Sequence, residues 1–118
     1  AIMYITKREG NEAPQQLSFI RKFGCKAYTL AFDIQESPLE NNESHFSWTE
    51  VQFDATPPTY GEIVAAIIRG RYSADDVEAI TNNYLLDGSE IHTQEWQAMQ
   101  QWRKDAKELA KSVMLLME

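Results

Sequence analysis

Residues 59–86 (TYGEIVAAIIRGRYSADDVEAITNNYLL) restrict this chain more than any other stretch. Pro57 and Pro58 hold the backbone extended and prevent a helix from starting earlier. Thr59 and Glu62 have the Ser/Thr-x-x-Glu spacing of a capping box, so a first helix is expected from about residue 60. Tyr60, Ile63, Val64, Ile67 and Ile68 recur at three- and four-residue steps and are expected to share its buried face. Gly70 suits the left-handed residue that closes a helix. Ser73 and Asp76 mark a second start, and Asp75, Asp76 and Glu78 place negative charge at the positive end of the next helix dipole. Val77, Ile80, Tyr84 and Leu85 form its apolar stripe, with Gly88 as the stop. Two short helices joined by a tight turn follow, so the rest of the chain divides into what precedes them and what comes after.

What precedes them reads as strands. Residues 3–8 alternate as a first strand. Residues 15–23 fit either period and are assigned to a strand by a small margin. Residues 26–34 alternate most regularly, with Tyr28, Leu30, Phe32 and Ile34 on one face and Ala27, Thr29, Ala31 and Asp33 on the other. Residues 35–44 (QESPLENNES) are expected to be a polar loop. Residues 46–53 read as a further strand whose apolar positions change parity between Trp48 and Val51, which predicts a bulge or burial on both faces. An antiparallel meander is the natural connection.

What comes after is one long helix, residues 93–116, with Trp96, Met99, Trp102, Ala106, Leu109, Val113 and Leu116 along one side. The expected architecture is therefore α+β: one domain over residues 1–118, with an antiparallel sheet of three or four strands from the N-terminal half packed on one face by three helices from the C-terminal half.

Composition removes several function classes. The formal net charge of −7 opposes nucleic-acid binding through phosphates and opposes anionic membrane surfaces, and it suits a basic partner. No apolar run reaches the roughly 18–20 residues of a membrane span, and no basic segment leads into an apolar one as in a secretory signal. Met3 reads as the initiator, after Ala1 and Ile2. Cys25 is the single cysteine, which excludes an internal disulfide and fits a reducing cytoplasm. As a thiol nucleophile it would need a base, and the histidines, His45 and His92, lie in no recognisable motif, so Cys25 reads as a packing or loop residue.

No nucleotide-phosphate loop, paired zinc ligands or nucleophile elbow is spelled out, so no catalytic residue, cofactor or metal ligand is assigned. Acidic runs at Glu40–Glu43 and Asp75–Glu78 read as solvated surface and helix-start electrostatics. The two short helices outline a helix-turn-helix, but Asp75, Asp76 and Glu78 would face the phosphates. Trp48, Trp96 and Trp102 are candidates for an interface, with Tyr60, Tyr72 and Tyr84 beside them; the plainer reading is that they fill seams of the fold. The apolar tail with Leu115 and Leu116 either packs inward or meets another chain.

Glu95-Trp96 and Trp102-Arg103, followed by Ala106 and Leu109 and preceded by a short helix rich in Asp and Ile, resemble the C-terminal helical segment of small tail-assembly and tail-fibre accessory proteins of bacteriophages and prophages. The resemblance spans about the last third of the chain, and the family's proline-terminated ending is replaced by Leu-Leu-Met-Glu. It implies a non-enzymatic accessory protein that works by binding other proteins. With the absent catalytic motifs and the apolar tail, the expectation is a cytoplasmic interaction or assembly module that binds a protein partner or itself, with Trp48, Trp96, Trp102, Arg103, Leu115 and Leu116 as candidate contacts. Two alternatives remain open. One is a small-molecule binder or enzyme with a pocket between sheet and helices lined by Tyr28, Trp48 and Tyr84. The other is an acidic mimic of nucleic acid, with carboxylates at phosphate-like spacing along one face.

Overall fold

The computed structural model describes residues 3–22, 25–53 and 58–116. It is α+β, with four antiparallel strands in the N-terminal half and three helices in the C-terminal half. The chain divides between Thr59 and Tyr60 into two compact units.

The first unit is the sheet: β1 (Met3–Gly10), β2 (Leu17–Lys22), β3 (Cys25–Pro38) and β4 (Ser44–Phe53), in spatial order β1-β4-β3-β2. Strands β2, β3 and β4 form the expected meander. Strand β1 does not continue it beside β2 but pairs with β4 at the other edge, a Greek-key order. The ambiguous stretch at 15–23 is a strand from Leu17 to Lys22; Phe23 and Gly24 lie outside the described residues. In β1 the described side chains from Tyr4 to Glu9 are exposed, and charge at Lys7, Arg8 and Glu9 discourages further pairing along this edge.

Strand register defines a buried face. Tyr28, Leu30 and Phe32 on β3 stand opposite Phe53, Val51 and Thr49 on β4, and all six are buried. Thr49 is the polar member, and its Oγ1 accepts a 2.7 Å hydrogen bond from Lys7 Nζ on β1. Burying a side chain such as Leu30 or Val51 contributes roughly 1.5–3 kcal/mol.

The parity change read in the fourth strand is not a bulge in β4: half-buried Phe46 and Trp48 face one side of the sheet and buried Val51 and Phe53 the other, and the bulge lies in β3 instead. Strand β4 pairs with β1 without interruption, whereas β3 carries one extra residue between Phe32 and Gln35. Asp33 occupies the left-handed region there, at φ 55°. This bulge moves Ile34 off the face of Phe32 and leaves it exposed, contrary to the regular alternation of the sequence. Past the bulge β3 runs on to Pro38, so the first four residues of the expected loop at 35–44 are strand. What remains is a short turn with Glu40–Asn42 in a 3-10 turn, closed by Leu39 N–H donating to Glu43 O at 2.8 Å. Pro38 is tolerated because this end of β3 pairs on one side only, with β4.

The second unit holds α1 (Tyr60–Arg71), α2 (Ala74–Asp87) and α3 (Glu90–Leu116), with α3 packed against both shorter helices. The start of α2 is a reciprocal capping box. Asp76 N–H donates to Ser73 Oγ and Ser73 N–H donates to Asp76 Oδ2, each at 3.0 Å. Gly88 closes α2 in the left-handed region, φ 55°, its N–H donating to Tyr84 O. Gly70 does not end α1. It lies inside the helix, buried in its last turn, and its φ is not in the left-handed region. The long helix starts at Glu90, three residues earlier than expected, because Ser89 caps it: its Oγ accepts from His92 N–H. At 27 residues it is about 40 Å long.

Candidate functional site

Helices α1 and α3 each have a buried stripe, and all three helices carry apolar residues that are not buried. On α1 the buried stripe is Ile63, Ala66, Ile67 and Gly70, so the face expected from Tyr60, Val64 and Ile68 is rotated: Tyr60 is exposed and Val64 and Ile68 are half-buried. On α3 it is Met99, Trp102, Ala106, Ala110 and Val113; Leu116, expected on this stripe, is exposed, as is Leu115. No residue of α2 is fully buried, although Val77, Ile80 and Tyr84 are half out of solvent.

The aromatic candidates fall into separate settings. Trp102 is buried within the helical unit: its Nε1–H donates to Ile67 O at 3.0 Å, and the Arg71 guanidinium lies 3.7 Å from its ring centroid. It fastens α3 to α1 and offers little surface to a partner. Trp96 stacks on Tyr84, centroids 4.3 Å apart and planes within 8°, which clamps α2 to α3 near their turn. Trp48 is half-buried on β4, and its ring lies over Gly10 of β1: a Cβ there would stand 3.2 Å from Trp48 Cη2. Trp48 and Tyr28 occupy opposite faces of the sheet, because Tyr28 pairs with Phe53 and Trp48 stands an odd number of residues from Phe53 on β4.

The turn between α2 and α3 shows what sequence periodicity missed. Leu85, placed by the sequence on the inner stripe of α2, is 73% exposed; Leu86 is 83% and Ile91 69% exposed. The signal was present in the run Tyr84-Leu85-Leu86. Consecutive helical residues point about 100° apart, so one buried stripe cannot hold all three. Beneath these side chains the turn is tightly bonded. Asp87 Oδ1 accepts from Ser89 N–H at 2.9 Å and lies 2.7 Å from His92 Nδ1. Thr93 Oγ1 donates to Gly88 O. The Ser89 amide first, and His92 second, hold the Asp87 carboxyl below its ordinary range. An ionised Asp87 only accepts, so the His92 proton sits on Nδ1. The three apolar side chains thus project from a turn held in one shape.

Among the described residues each unit carries a hollow. The sheet carries a shallow hollow of about 600 Å³ whose lining includes Lys7, Arg8, Glu9, Asp33, Gln35 and the candidate Trp48. Gln35 Nε2 donates to Asp33 Oδ1 at 3.2 Å, and His45 Nε2 lies 3.6 Å from Glu9 Oε2. Across the strands Lys7 Nζ donates to Thr49 Oγ1 and Arg8 pairs with Glu50 at 2.8 Å. The helical unit carries an apolar groove of about 200 Å³ with Arg103 at its rim. Among the described residues no three His, Cys, Asp or Glu side chains gather to hold a metal ion, and no helix is long and apolar enough to cross a membrane. The Cys25 side chain lies outside the described residues.

Comparison with family models, with curated proteins and with solved structures finds no match to this chain.

Proposed function

We propose that the protein is a non-enzymatic interaction module that binds a protein partner or itself, in keeping with the likeness of its last third to phage and prophage tail accessory proteins. The observation that carries this reading is the trio Leu85, Leu86 and Ile91, exposed on a turn whose backbone is fixed by Asp87, Ser89 and Thr93. Apolar side chains held out on an ordered turn lose little conformational freedom when a partner covers them, which favours association. Leu115 and Leu116, exposed at the far end of α3, offer a smaller second patch.

Sedimentation velocity over a range of concentrations, together with co-purification, tests the reading on wild type and on the combined variant Leu85→Ser, Leu86→Ser, Ile91→Ser. Wild type should self-associate or retain a stoichiometric partner, and the variant should lose it with its melting temperature kept. A wild-type protein that is monomeric throughout and retains nothing would sink the proposal.

A further inference from the structure

The first helix is apolar on two sides. Its buried stripe is Ile63, Ala66, Ile67 and Gly70. A second set with the same i, i+3, i+4, i+7 spacing, Gly61, Val64, Ala65 and Ile68, lies nearly opposite at 100° per residue. A surface helix ordinarily carries polar residues there. Instead this second stripe floors the 200 Å³ groove, flanked by Val77 of α2. A Cβ built on Gly61 meets nothing within 4 Å, so the groove is open at that end.

The charged side chains lining the groove are Arg69 and Arg103, both cations in a chain of net charge −7. Arg69 donates weakly to Tyr72 O at 3.4 Å. Arg103 is half-buried and, among the described residues, has neither a hydrogen-bond nor an ion-pair partner. A guanidinium partly withdrawn from water gains most from a carboxylate that arrives with its own apolar surface. The groove is smaller than the roughly 300–1,000 Å³ of small-molecule sites. It suits single side chains from the ridge of a docking helix, and the small residues Gly61 and Ala65 permit close approach.

We infer that the open stripe of α1 receives an acidic amphipathic helix from a protein partner, its leucines on Val64, Ala65 and Ile68 and its carboxylates on Arg69 and Arg103. This rests on the interaction-module reading and names the partner's chemistry at a second surface.

The probe is a fluorescent peptide of about 18 residues, a length that forms a helix once docked, with leucines at i, i+3, i+4 and i+7 and glutamates flanking them. Its counterpart has every glutamate replaced by lysine. By fluorescence anisotropy the glutamate peptide should saturate the full-length protein and the lysine peptide should bind at least tenfold more weakly. Arg103→Glu should weaken the glutamate peptide at least tenfold. Gly61→Leu, which fills open space, should block it with melting unchanged. The Leu85, Leu86, Ile91 triple variant should bind the peptide as wild type does, which separates failure of this groove from failure of the leucine turn. Absence of saturation by the glutamate peptide, equal binding of both peptides, or indifference to Arg103→Glu and Gly61→Leu each overturns the inference. So does a wild-type dimer that Gly61→Leu dissociates, since the occupant would then be a second copy.

Discussion

Asp33 and Gly88 share the same left-handed backbone, φ 55°, and tolerate substitution differently. At Gly88 a side chain is strained by the backbone itself, while the nearest atom an added Cβ would meet, Tyr84 O, is 3.8 Å away. Gly88→Ala should therefore destabilise by about 1 kcal/mol, read as a lower melting temperature without a change in helix content. At Asp33 the native residue already bears the strain, so Asp33→Gly should be neutral or mildly stabilising, while Asp33→Val, β-branched, should cost on the order of 1–2 kcal/mol. Chemical denaturation of the pair measures the difference; equal midpoints would show that the bulge does not depend on this φ. Only one of these two positions was readable beforehand. Gly88 follows an apolar stripe and precedes a serine, the ordinary signs of a helix end. Asp33 sits inside the most regular alternation of the chain, where nothing local announces an extra residue. Gly70 misled for the opposite reason: glycine suits both a helix end and a tightly packed helix interior, and only the packing around it decides.

Elements were legible wherever one signal was repeated by another. Ser73 with Asp76 fixed the start of α2 because cap, dipole charge and stripe agreed, and the structure forms both hydrogen bonds of the box. The inner stripe of α3 was readable at Met99, Trp102, Ala106 and Val113, whereas Ala110 went unread and Leu116, expected there, is exposed. Met99→Ala on this stripe should cost about 2–5 kcal/mol in a denaturant titration. The exposed turn and the second stripe of α1 were not legible, because a periodic pattern says which residues are apolar but not which are covered. That turn has a pH dependence whose sign follows from Asp87. Its folded carboxyl titrates below the unfolded one, so its contribution is complete above the ordinary carboxylate range and is lost as pH falls through the folded value. Asp87→Asn should lower the melting temperature near neutral pH, and the gap to wild type should close on acidification. A gap of constant size down to pH of about 2 would mean that the Ser89 and His92 contacts do not depend on this charge.

At the scale of the molecule, sheet and helices are separate compact units with different surfaces. The sheet unit presents a hollow lined by charges of both signs; the helical unit presents leucines, an apolar groove and arginines. On the proposed reading, this contrast puts the interaction surface on the helical unit. Composition foretold the polarity of the whole but not the site, since 18 acidic and 11 basic residues fix a net charge without fixing where the cations gather. Two arginines beside a groove are too few to hold a nucleic acid: binding through phosphates scales with the number of cations engaged, and every surplus carboxylate works against it. The protein should therefore leave duplex DNA unshifted on a native gel at about 0.1 M salt, where the Debye length of roughly 10 Å still lets like charges repel. Raising the salt should strengthen no such complex but should weaken the glutamate peptide at the α1 groove. A salt-sensitive shift of the DNA, abolished by Arg103→Glu, would instead assign the groove to phosphate rather than carboxylate.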